Sequence, residues 1–394
     1  MNPLLTMHAI VTDAFGGRGG IAQYNRDFLG ALAEARIMSS ITVLPRHAPD
    51  LPALPETIEQ MPARPGRIAY SVAGLRAALF QPVDLVFCGH LFMAPLAALI
   101  ARLKAAMLIV QTHGIEAWPR PSRLQRAALE SADLVLCVSR YTRAAVLSWA
   151  AIAPERVLVV PNTVKEMFTP GDGSTTRAAL AVGSKRVLLT VGRMDSGQRY
   201  KGQDRVIAAI PYIVAQGHDV EYLVVGEGDD RARLEALARD VGVSGRVRFF
   251  GAAELQVLTE LYRTADLFVM PSMGEGFGIA FLEAMASGTP VLGLDVAGAR
   301  DALADGQLGT LVSEAELPVA IARLLSKPKP DPVALAAAAR ARFGRETFAA
   351  CVRNALNRLM DVEVDGIPTL RRPVRRSIQT VGRRSLDKKR QRQL

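Results

Sequence analysis

Short apolar runs alternate with longer amphipathic stretches along most of the chain, and this alternation constrains the fold more than any other feature. The runs are mostly continuously apolar, as expected of strands buried on both faces of a parallel sheet. The stretches between them, such as 21–35, 203–216 and 230–241, show helical periodicity. The runs span 4–11, 41–44, 84–88, 107–111, 134–139 and 157–161, and then 187–191, 221–225, 247–250, 267–271 and 291–294. The sequence therefore predicts an α/β fold in which βα repetition occurs twice.

The length of the chain also favours two domains, because 394 residues exceed what one ordinary core organises. Residues 162–185 are polar and contain Pro170, Gly171, Gly173 and Gly183, a composition typical of a linker. An alanine-rich helix is predicted after Pro332, and a second helix at about 346–360.

The net charge of +10 is concentrated at the C-terminus. Residues 371–394 contain ten Lys or Arg and one acid, Asp387, so the remaining chain is nearly neutral. Like charges and few large apolar residues predict that the segment after Asp365 is disordered alone. It could remain solvated, bind anionic lipid head groups or bind nucleic acid. Nucleic acid is disfavoured, because 371–394 contains no aromatic residue on which a base could stack.

The cysteines and the apolar segments indicate the cellular compartment of the protein. Cys88, Cys137 and Cys351 show no metal-ligand spacing, so we expect buried free thiols in a reducing compartment. The N-terminus lacks the basic region of a signal peptide. The most apolar region, 91–110, is interrupted by charged residues and a proline, so it is not predicted to span a membrane. These features predict a cytoplasmic protein.

A glycine-rich loop, FGGRGG at 15–20, joins the first predicted strand to the first predicted helix. Glycines allow backbone N–H groups to approach an anion, and a helix N-terminus favours negative charge. The loop could therefore hold a phosphate or a sugar, or simply form a tight turn. Its spacing is not G-x-G-x-x-G, and Arg46 and His47 follow the second strand instead of an acid. A dinucleotide-dependent oxidoreductase is therefore disfavoured.

Polar residues follow two other predicted strands. His113 comes after the run 107–111, at a strand end where ligands of open α/β sheets bind; it could be structural or could donate a hydrogen bond to a substrate hydroxyl. Arg193 and Lys201 lie eight residues apart on one loop. They could converge on a pyrophosphate, Arg193 through a bidentate contact and Lys201 as a point charge, or form a solvated basic loop.

Two glutamates, Glu275 and Glu283, flank a glycine-rich turn that enters an apolar helix. Gly276 and Gly278 can present backbone donors to a phosphate where the helix begins. Carboxylates offer several acceptor sites, so Glu275 can bind a sugar hydroxyl and Glu283 the two hydroxyls of a ribose. The alternative is two surface glutamates together by chance.

Several ordered motifs make the chain resemble the retaining glycosyltransferases of family 4, which have the GT-B fold. The resemblance runs from about Val11 to Met360. It rests on the glycine loop at 16–20, His113-Gly114, Val138-Ser139, Val160-Pro161-Asn162, Val191-Gly192-Arg193, Lys201-Gly202, Val225-Gly226-Glu227-Gly228, Phe250-Gly251, Ala265-Asp266 and the two-glutamate segment leading into Gly288-Thr289-Pro290-Val291.

The resemblance implies two Rossmann-like domains facing a cleft and a last helix that crosses back onto the first domain, and composition adds a disordered basic tail. The expected divisions are an acceptor-side domain (1–165), a donor-nucleotide domain (166–345), a crossover helix (346–365) and the tail (366–394). The donor would be a nucleotide-sugar, a GDP- or UDP-sugar, with no metal ion or further cofactor.

The resemblance also implies the site. Catalytic roles fall on His113, Arg193, Lys201 and Glu275. Donor contacts fall on Gly17, Gly19, Arg193, Lys201, Gly226, Gly228, Gly276, Phe277, Gly278 and Glu283. In this mechanism the cations and helix amides stabilise the departing phosphate. A phosphate oxygen accepts the proton of the acceptor, so Glu275 is not predicted to be a nucleophile.

The predicted function is therefore retaining transfer of a hexose to a hydroxyl acceptor, in surface polysaccharide or glycolipid synthesis. A sugar- or lipid-linked acceptor would suit a peripheral enzyme held at the inner membrane face through residues 371–394. A nucleotide-sugar epimerase of similar architecture, or an inactive nucleotide-sugar-binding protein, remain the alternatives.

Overall fold

Two parallel β-sheets organise the chain. The structure is a computed structural model that describes residues 4–48 and 53–360. The segment predicted to be a disordered basic tail, including 371–394, lies outside the described residues.

The first sheet and its helices come from the first half of the chain. Its strands are β1 (Leu5–Asp13), β2 (Met38–His47), β3 (Ile58–Gln60), β4 (Leu85–Cys88), β5 (Met107–Thr112), β6 (Leu134–Cys137) and β7 (Val157–Val159). Its helices are α1 (Gly20–Glu34), α2 (Arg67–Phe80), α3 (Ala94–Lys104), α4 (Arg123–Glu130) and α5 (Arg140–Trp149). The strand order is β3-β2-β1-β4-β5-β6-β7.

The second sheet repeats this plan. Its strands are β8 (Arg186–Val191), β9 (Val220–Val225), β10 (Val247–Gly251), β11 (Leu267–Met270), β12 (Val291–Leu294) and β13 (Thr310–Val312). The remaining helices are α6 (Ser174–Ala179), α7 (Gln203–Ala215), α8 (Arg231–Asp240), α9 (Leu255–Thr264), α10 (Ile279–Ala286), α11 (Ala299–Ala302), α12 (Leu317–Leu325), α13 (Pro332–Phe343) and α14 (Arg345–Met360). The order is β10-β9-β8-β11-β12-β13.

Both orders reverse direction at one point, between β1 and β4 and between β8 and β11. In open parallel sheets the connections diverge at such a switch point and leave a crevice at the carboxyl ends of the strands. The predicted α/β fold with two Rossmann-like sheets is confirmed, and the crevices locate the regions where ligands can bind.

The central strands of both sheets are buried, as their continuously apolar sequences predict. β4, β6 and β11 contain only buried residues, because helices cover both faces of each sheet. The thiols of Cys88 and Cys137 are free and buried among these strands. Two short edge strands, β3 and β13, have no counterpart among the predicted runs.

The predicted linker also has structure of its own. It contains α6, which packs against α9, and Arg177 of α6 donates to the carbonyl of Thr264 at 3.0 Å. This part of the segment is therefore attached to the second half of the chain.

The last described helix, α14, returns to the first sheet and packs against α1. Phe348 contacts the ring of Tyr24 edge-on, with centroids 5.8 Å apart. Before it, the Phe343 carbonyl accepts from the Thr163 hydroxyl at 2.8 Å. The predicted crossover helix is therefore present, and one hydrophobic core cluster includes residues of both sheets.

Within residues 4–48 and 53–360, no helix combines the length and apolar character that crossing a membrane requires. The region 91–110, whose interruption by charges argued against a span, forms a short 3-10 turn, α3 and the start of β5.

Candidate functional site

A cavity of about 270 Å³ lies between the carboxyl ends of the two sheets. Its walls include all four residues predicted to be catalytic, His113, Arg193, Lys201 and Glu275. Gly276, Phe277 and Gly278 line it too, together with Gly20, Ile21, Val138 and Asn162 from the first half of the chain. Both halves therefore contribute to one site, at the edge where parallel sheets bind ligands.

Lys201 and Glu275 form a largely enclosed ion pair in this cavity. The Lys201 Nζ donates to Glu275 Oε1 at 2.8 Å, and the two side chains are only 17% and 13% exposed. Burial lowers the pKa of Lys201, but the Glu275 carboxylate outweighs burial, and the net pKa is raised above its ordinary value. Lys201 therefore carries a fixed positive charge whose position is set by Glu275.

Arg193 follows β8 and supplies the second cation of the cavity. Among the described residues, its guanidinium makes no ion pair, whereas its backbone carbonyl accepts from Gln203 Nε2 at 3.2 Å. The loop is thus held by its backbone while the side chain is exposed. A guanidinium in this state can bind an anionic ligand through two parallel hydrogen bonds.

The turn before α10 presents backbone donors to the same space. Gly278 precedes α10 with a φ of 100°, in the left-handed region that glycine tolerates, and no side chain caps the helix. The first N–H groups of α10 therefore have no side-chain acceptor, and the helix dipole adds partial positive charge there. An anion in the cavity would meet two cations and this helix end.

Gly276 touches the first half of the chain directly. A Cβ at this position would lie 1.9 Å from the His113 carbonyl oxygen, whereas a Cβ at Gly20, which faces Ile279, would have an ordinary contact at 3.4 Å. Only glycine at 276 therefore permits the loop after β5 and the turn before α10 to approach this closely.

His113 lies at the end of β5, where its ring is fixed by the first sheet. Its Nε2 is 2.9 Å from the carbonyl of Gly89, so Nε2 carries the proton and donates. Burial lowers the pKa of His113, with the Glu116 carboxylate opposing it, and the ring is neutral at pH 7. The sequence suggested a donor to a substrate hydroxyl; with Nε2 used by Gly89, the ring offers Nδ1 as an acceptor instead.

Glu283 is buried behind the cavity and does not line it. Its Oε2 accepts from the Tyr262 hydroxyl at 2.9 Å. Burial raises the pKa of Glu283 to about 7, while the Tyr262 hydrogen bond and the charge of Lys165 oppose that rise. The predicted contact with a ribose would require a ligand to reach past the cavity wall, so the role of Glu283 stays a prediction.

The raised pKa of Glu283 gives a stability test. A carboxyl whose pKa is higher in the folded state adds stability that is complete below its unfolded pKa, near 4.5, and is lost as pH rises through about 7. As the pH is raised from 5 to 8, the free energy of unfolding of Glu283→Gln should therefore rise relative to that of the wild type. The rise should be about 1.4 kcal/mol per unit of difference between the folded and unfolded pKa of Glu283. Urea unfolding at both pH values measures this, with Glu59→Gln, an exposed carboxylate, as the control. Parallel pH profiles for Glu283→Gln and the wild type would contradict it.

Four predicted donor-binding glycines also lie outside the cavity lining. Gly226 and Gly228 have φ values of 136° and 156°, and a Cβ on either would collide with the backbone of Gly192 or Met194. They let the loop after β9 lie against the loop that carries Arg193. Gly17 packs on the Asp13 carboxylate, and Gly19 precedes α1 with a φ of 95°. In this structure these four glycines shape the loops, and Gly20 is the member of the FGGRGG loop that faces the cavity.

Sequence reasoning missed Gln198 and Tyr200, which line the cavity from the 3-10 helix Ser196–Lys201. Tyr200 packs beside Gly274, where an added Cβ would lie 3.0 Å from its ring. Only their position next to Lys201 in the sequence could have identified them as site residues, because neither residue type has a distinctive phosphate-binding pattern.

Family comparisons agree with this architecture. The model of the family described as "Glycosyltransferase Family 4" matches residues 18–166, and that described as "Glycosyl transferases group 1" matches 185–327. The two matches divide where the first sheet ends and the second begins.

Similar proteins come from several bacteria. A GDP-mannose-dependent alpha-(1-6)-phosphatidylinositol monomannoside mannosyltransferase of Mycolicibacterium smegmatis is 29% identical over 81% of this chain and 89% of its own. A D-inositol 3-phosphate glycosyltransferase of Catenulispora acidiphila is 29% identical over 82% and 85%.

Solved structures show the same fold. Sucrose-phosphate synthase from Thermosynechococcus elongatus superposes with a TM-score of 0.74 at 22% identity, covering 91% of this chain and 100% of that one. HepE from Anabaena, in complex with UDP and glucose, gives 0.73 at 20% identity over 90% and 99%. The chain therefore belongs to glycosyltransferase family 4 and is a retaining hexosyltransferase of the GT-B fold.

Proposed function

We propose that the protein transfers a hexose from a GDP- or UDP-sugar to a hydroxyl acceptor, with retention, in the synthesis of a surface polysaccharide or glycolipid. The observation that carries the proposal is the convergence of Arg193, the Lys201–Glu275 pair and the uncapped N-terminus of α10 on one cavity. Residues 166–345 would hold the donor, and residues 1–165 would present the acceptor.

The arrangement suits departure of a nucleoside diphosphate. Breaking the sugar–phosphate bond leaves positive charge on the sugar and adds negative charge to the phosphate. Lys201 and the α10 amides would stabilise that phosphate from fixed positions with little reorganisation, and the exposed Arg193 guanidinium would bind it through two parallel hydrogen bonds. A phosphate oxygen would then accept the proton of the acceptor hydroxyl on the same face of the sugar, which accounts for retention.

Glu275 has a supporting role in this proposal. Its carboxylate is engaged by Lys201 at 2.8 Å, so one oxygen holds the cation while the other can accept from a sugar hydroxyl. That geometry favours a sugar-orienting group over a nucleophile. Neutral His113, on the opposite wall, would accept from another hydroxyl through Nδ1.

The relatives support the choice of donor. The mycobacterial relative is named as GDP-mannose-dependent, and the Anabaena structure contains UDP and glucose. Both nucleotides present the same diphosphate to the cations, so the base would be selected elsewhere, near the loops after β9 and β10. The phosphoinositol-based acceptors in the names of two relatives favour a glycolipid or phosphorylated polyol acceptor.

Thermal unfolding with GDP-, UDP-, ADP- and dTDP-sugars should identify the donor. A ligand at about 100 times its dissociation constant adds about 2.7 kcal/mol of stability, which corresponds to a rise in Tm of several degrees. We expect that rise for a GDP- or UDP-sugar and a smaller one in Arg193→Ala.

The anomeric proton of the product, observed by NMR, should keep the configuration of the donor. Product formed without an acceptor, as an epimerised nucleotide-sugar, would contradict the proposal.

A further inference from the structure

The outer side of α2 is apolar where a surface helix is ordinarily polar. Ile68, Val72, Leu79 and Phe80 are 82%, 58%, 69% and 80% exposed. Their spacing places them on one side of the helix, while the other side is buried through Tyr70 and small residues. Burial in the fold therefore does not explain the apolar character of the exposed side.

Neighbouring helices extend this surface. α3 packs against both α2 and α4. Leu99 and Leu103 of α3 and Leu124 of α4 are 45%, 62% and 74% exposed. Together with the α2 residues they form what we call the α2–α4 surface, on the face of the first sheet opposite α1 and α14. Helices around the second sheet expose large apolar side chains mostly one at a time, as at Tyr212, Val319 and Val333.

Positive charge accompanies the apolar side chains. Residues 67–130, from the start of α2 to the end of α4, contain seven Lys or Arg and three acids. Arg67, Arg76, Arg102 and Arg123 are exposed and form no ion pair within the described part of the chain. A pocket of about 340 Å³ on the same surface is lined by Arg64, Arg76 and Phe80. The surface thus combines unneutralised guanidinium groups with apolar side chains.

We propose that the α2–α4 surface docks on a membrane containing anionic lipids. Apolar side chains of this kind enter the boundary between head groups and acyl chains, and arginines beside them bind the lipid phosphates. Charge complementarity identifies the occupant: a second copy of this chain would bring the same excess of positive charge to the surface, whereas an anionic bilayer neutralises it. The contact involves described helices of the first half and does not require residues 371–394.

The position of this surface relative to the cavity fits a lipid-linked acceptor. Phe92, 62% exposed, follows the carboxyl end of β4 and packs on His90 with centroids 4.7 Å apart. The His90 ring is in turn 6.0 Å from that of His113, in the cavity wall. A head group held at the membrane would therefore approach the cavity from the α2–α4 side. Only this link to the acceptor rests on the proposed function; the docking itself rests on the surface.

Vesicle sedimentation of the full chain tests the docking. Wild-type protein should bind vesicles of phosphatidylcholine with 30% phosphatidylglycerol, and bind pure phosphatidylcholine much more weakly. Ile68→Ser/Phe80→Ser should weaken partition to the anionic vesicles roughly tenfold or more, because two inserted apolar side chains are lost. Arg67→Glu/Arg76→Glu should weaken it to a similar extent. Both pairs are exposed, so folding is preserved; circular dichroism checks this.

Matched controls separate this surface from the rest of the protein. Val319→Ser/Val333→Ser removes two exposed apolar side chains at 53% and 65% exposure from helices of the second half, and it should bind vesicles like the wild type. Arg375→Glu/Arg376→Glu tests the basic C-terminal segment in the full chain. Binding that survives Ile68→Ser/Phe80→Ser but is lost in the C-terminal pair would overturn the proposal. So would a change of oligomeric state in Ile68→Ser/Phe80→Ser with unchanged vesicle binding, which would indicate a protein interface.

Activity on a water-soluble acceptor keeps the two proposals separate. Ile68→Ser/Phe80→Ser should transfer sugar to such an acceptor at the wild-type rate, because neither residue lines the cavity. A loss of that activity would contradict a purely docking role for the surface. Vesicle binding by a protein that turns over no nucleotide-sugar would contradict the proposed function and support the docking.

Discussion

Lys201→Ala is expected to lower turnover roughly 10²–10³-fold, the cost of removing one fixed charge-stabilising donor from a leaving group. Lys201 is mostly buried and is held by Glu275 at 2.8 Å, so its charge is fixed at one position in the cavity wall. Arg193→Ala should produce a loss of the same order. Initial rates of nucleotide release at saturating donor and acceptor measure both.

Arg199→Ala is the matched control for this prediction. Arg199 lies two residues from Lys201, but its guanidinium pairs with Asp230 at 2.9 Å and it does not line the cavity. Its turnover should stay close to that of the wild type. Lys201→Ala/Glu275→Gln should lose less than the combined losses of the single variants, because each group positions the other. Wild-type turnover in Lys201→Ala would remove Lys201 from the proposed phosphate site.

Gly276→Ala is expected to reduce turnover about 100-fold, with a cost of about 1–3 kcal/mol in the free energy of unfolding that leaves the protein folded. The new methyl group would lie 1.9 Å from the His113 carbonyl, so the loop after β5 and the turn before α10 must separate. The strands of each sheet keep their pairing, but the acceptor-side wall moves away from the donor-side wall. Displacements of about 1 Å between reacting groups cost rates of this size.

Gly20→Ala is the control for Gly276→Ala. Gly20 also lines the cavity and faces the second half of the chain, but its new methyl group would meet Ile279 at an ordinary 3.4 Å. Its turnover should change little. Chemical denaturation and steady-state kinetics on both variants distinguish loss of alignment from loss of folding. If Gly276→Ala were unfolded under the assay conditions, the loss of turnover would reflect loss of folding instead of loss of alignment.

The parts of the fold that sequence could predict are those with a strong periodic signal. Central strands such as β4 and β11 are continuous apolar runs because both faces are covered, and their positions agree with the prediction within a residue or two. β3 (IEQ) and β13 (TLV) were not predicted because each is short and partly polar, whereas β7 (VLV), equally short and also at an edge, is apolar throughout. The placement of β3 and β13 depends on pairing with β2 and β12, which local composition does not encode.

The sequence could predict those site residues whose type and position relative to a predicted strand or helix indicate their chemistry. His113, Arg193 and Lys201 follow predicted strands and Glu275 flanks a glycine-rich turn, and the structure brings all four to one cavity. His113 Nε2 donates its hydrogen bond to the carbonyl of Gly89, 24 residues away. The enclosure of Glu283 likewise depends on Tyr262, 21 residues away. Such long-range partners decide whether a side chain donates, accepts or is inaccessible.

The return of α14 to the first sheet has a consequence for synthesis on the ribosome. Glu34 at the end of α1 pairs with Arg345 at the start of α14, and these residues are 311 positions apart in the chain. Because translation adds roughly 5–20 residues per second, α14 emerges from the ribosome tens of seconds after the apolar side of α1 that it covers. The first sheet thus reaches its final packing only after the second sheet has been translated, and the part of α1 that α14 covers stays exposed on the nascent chain during that interval.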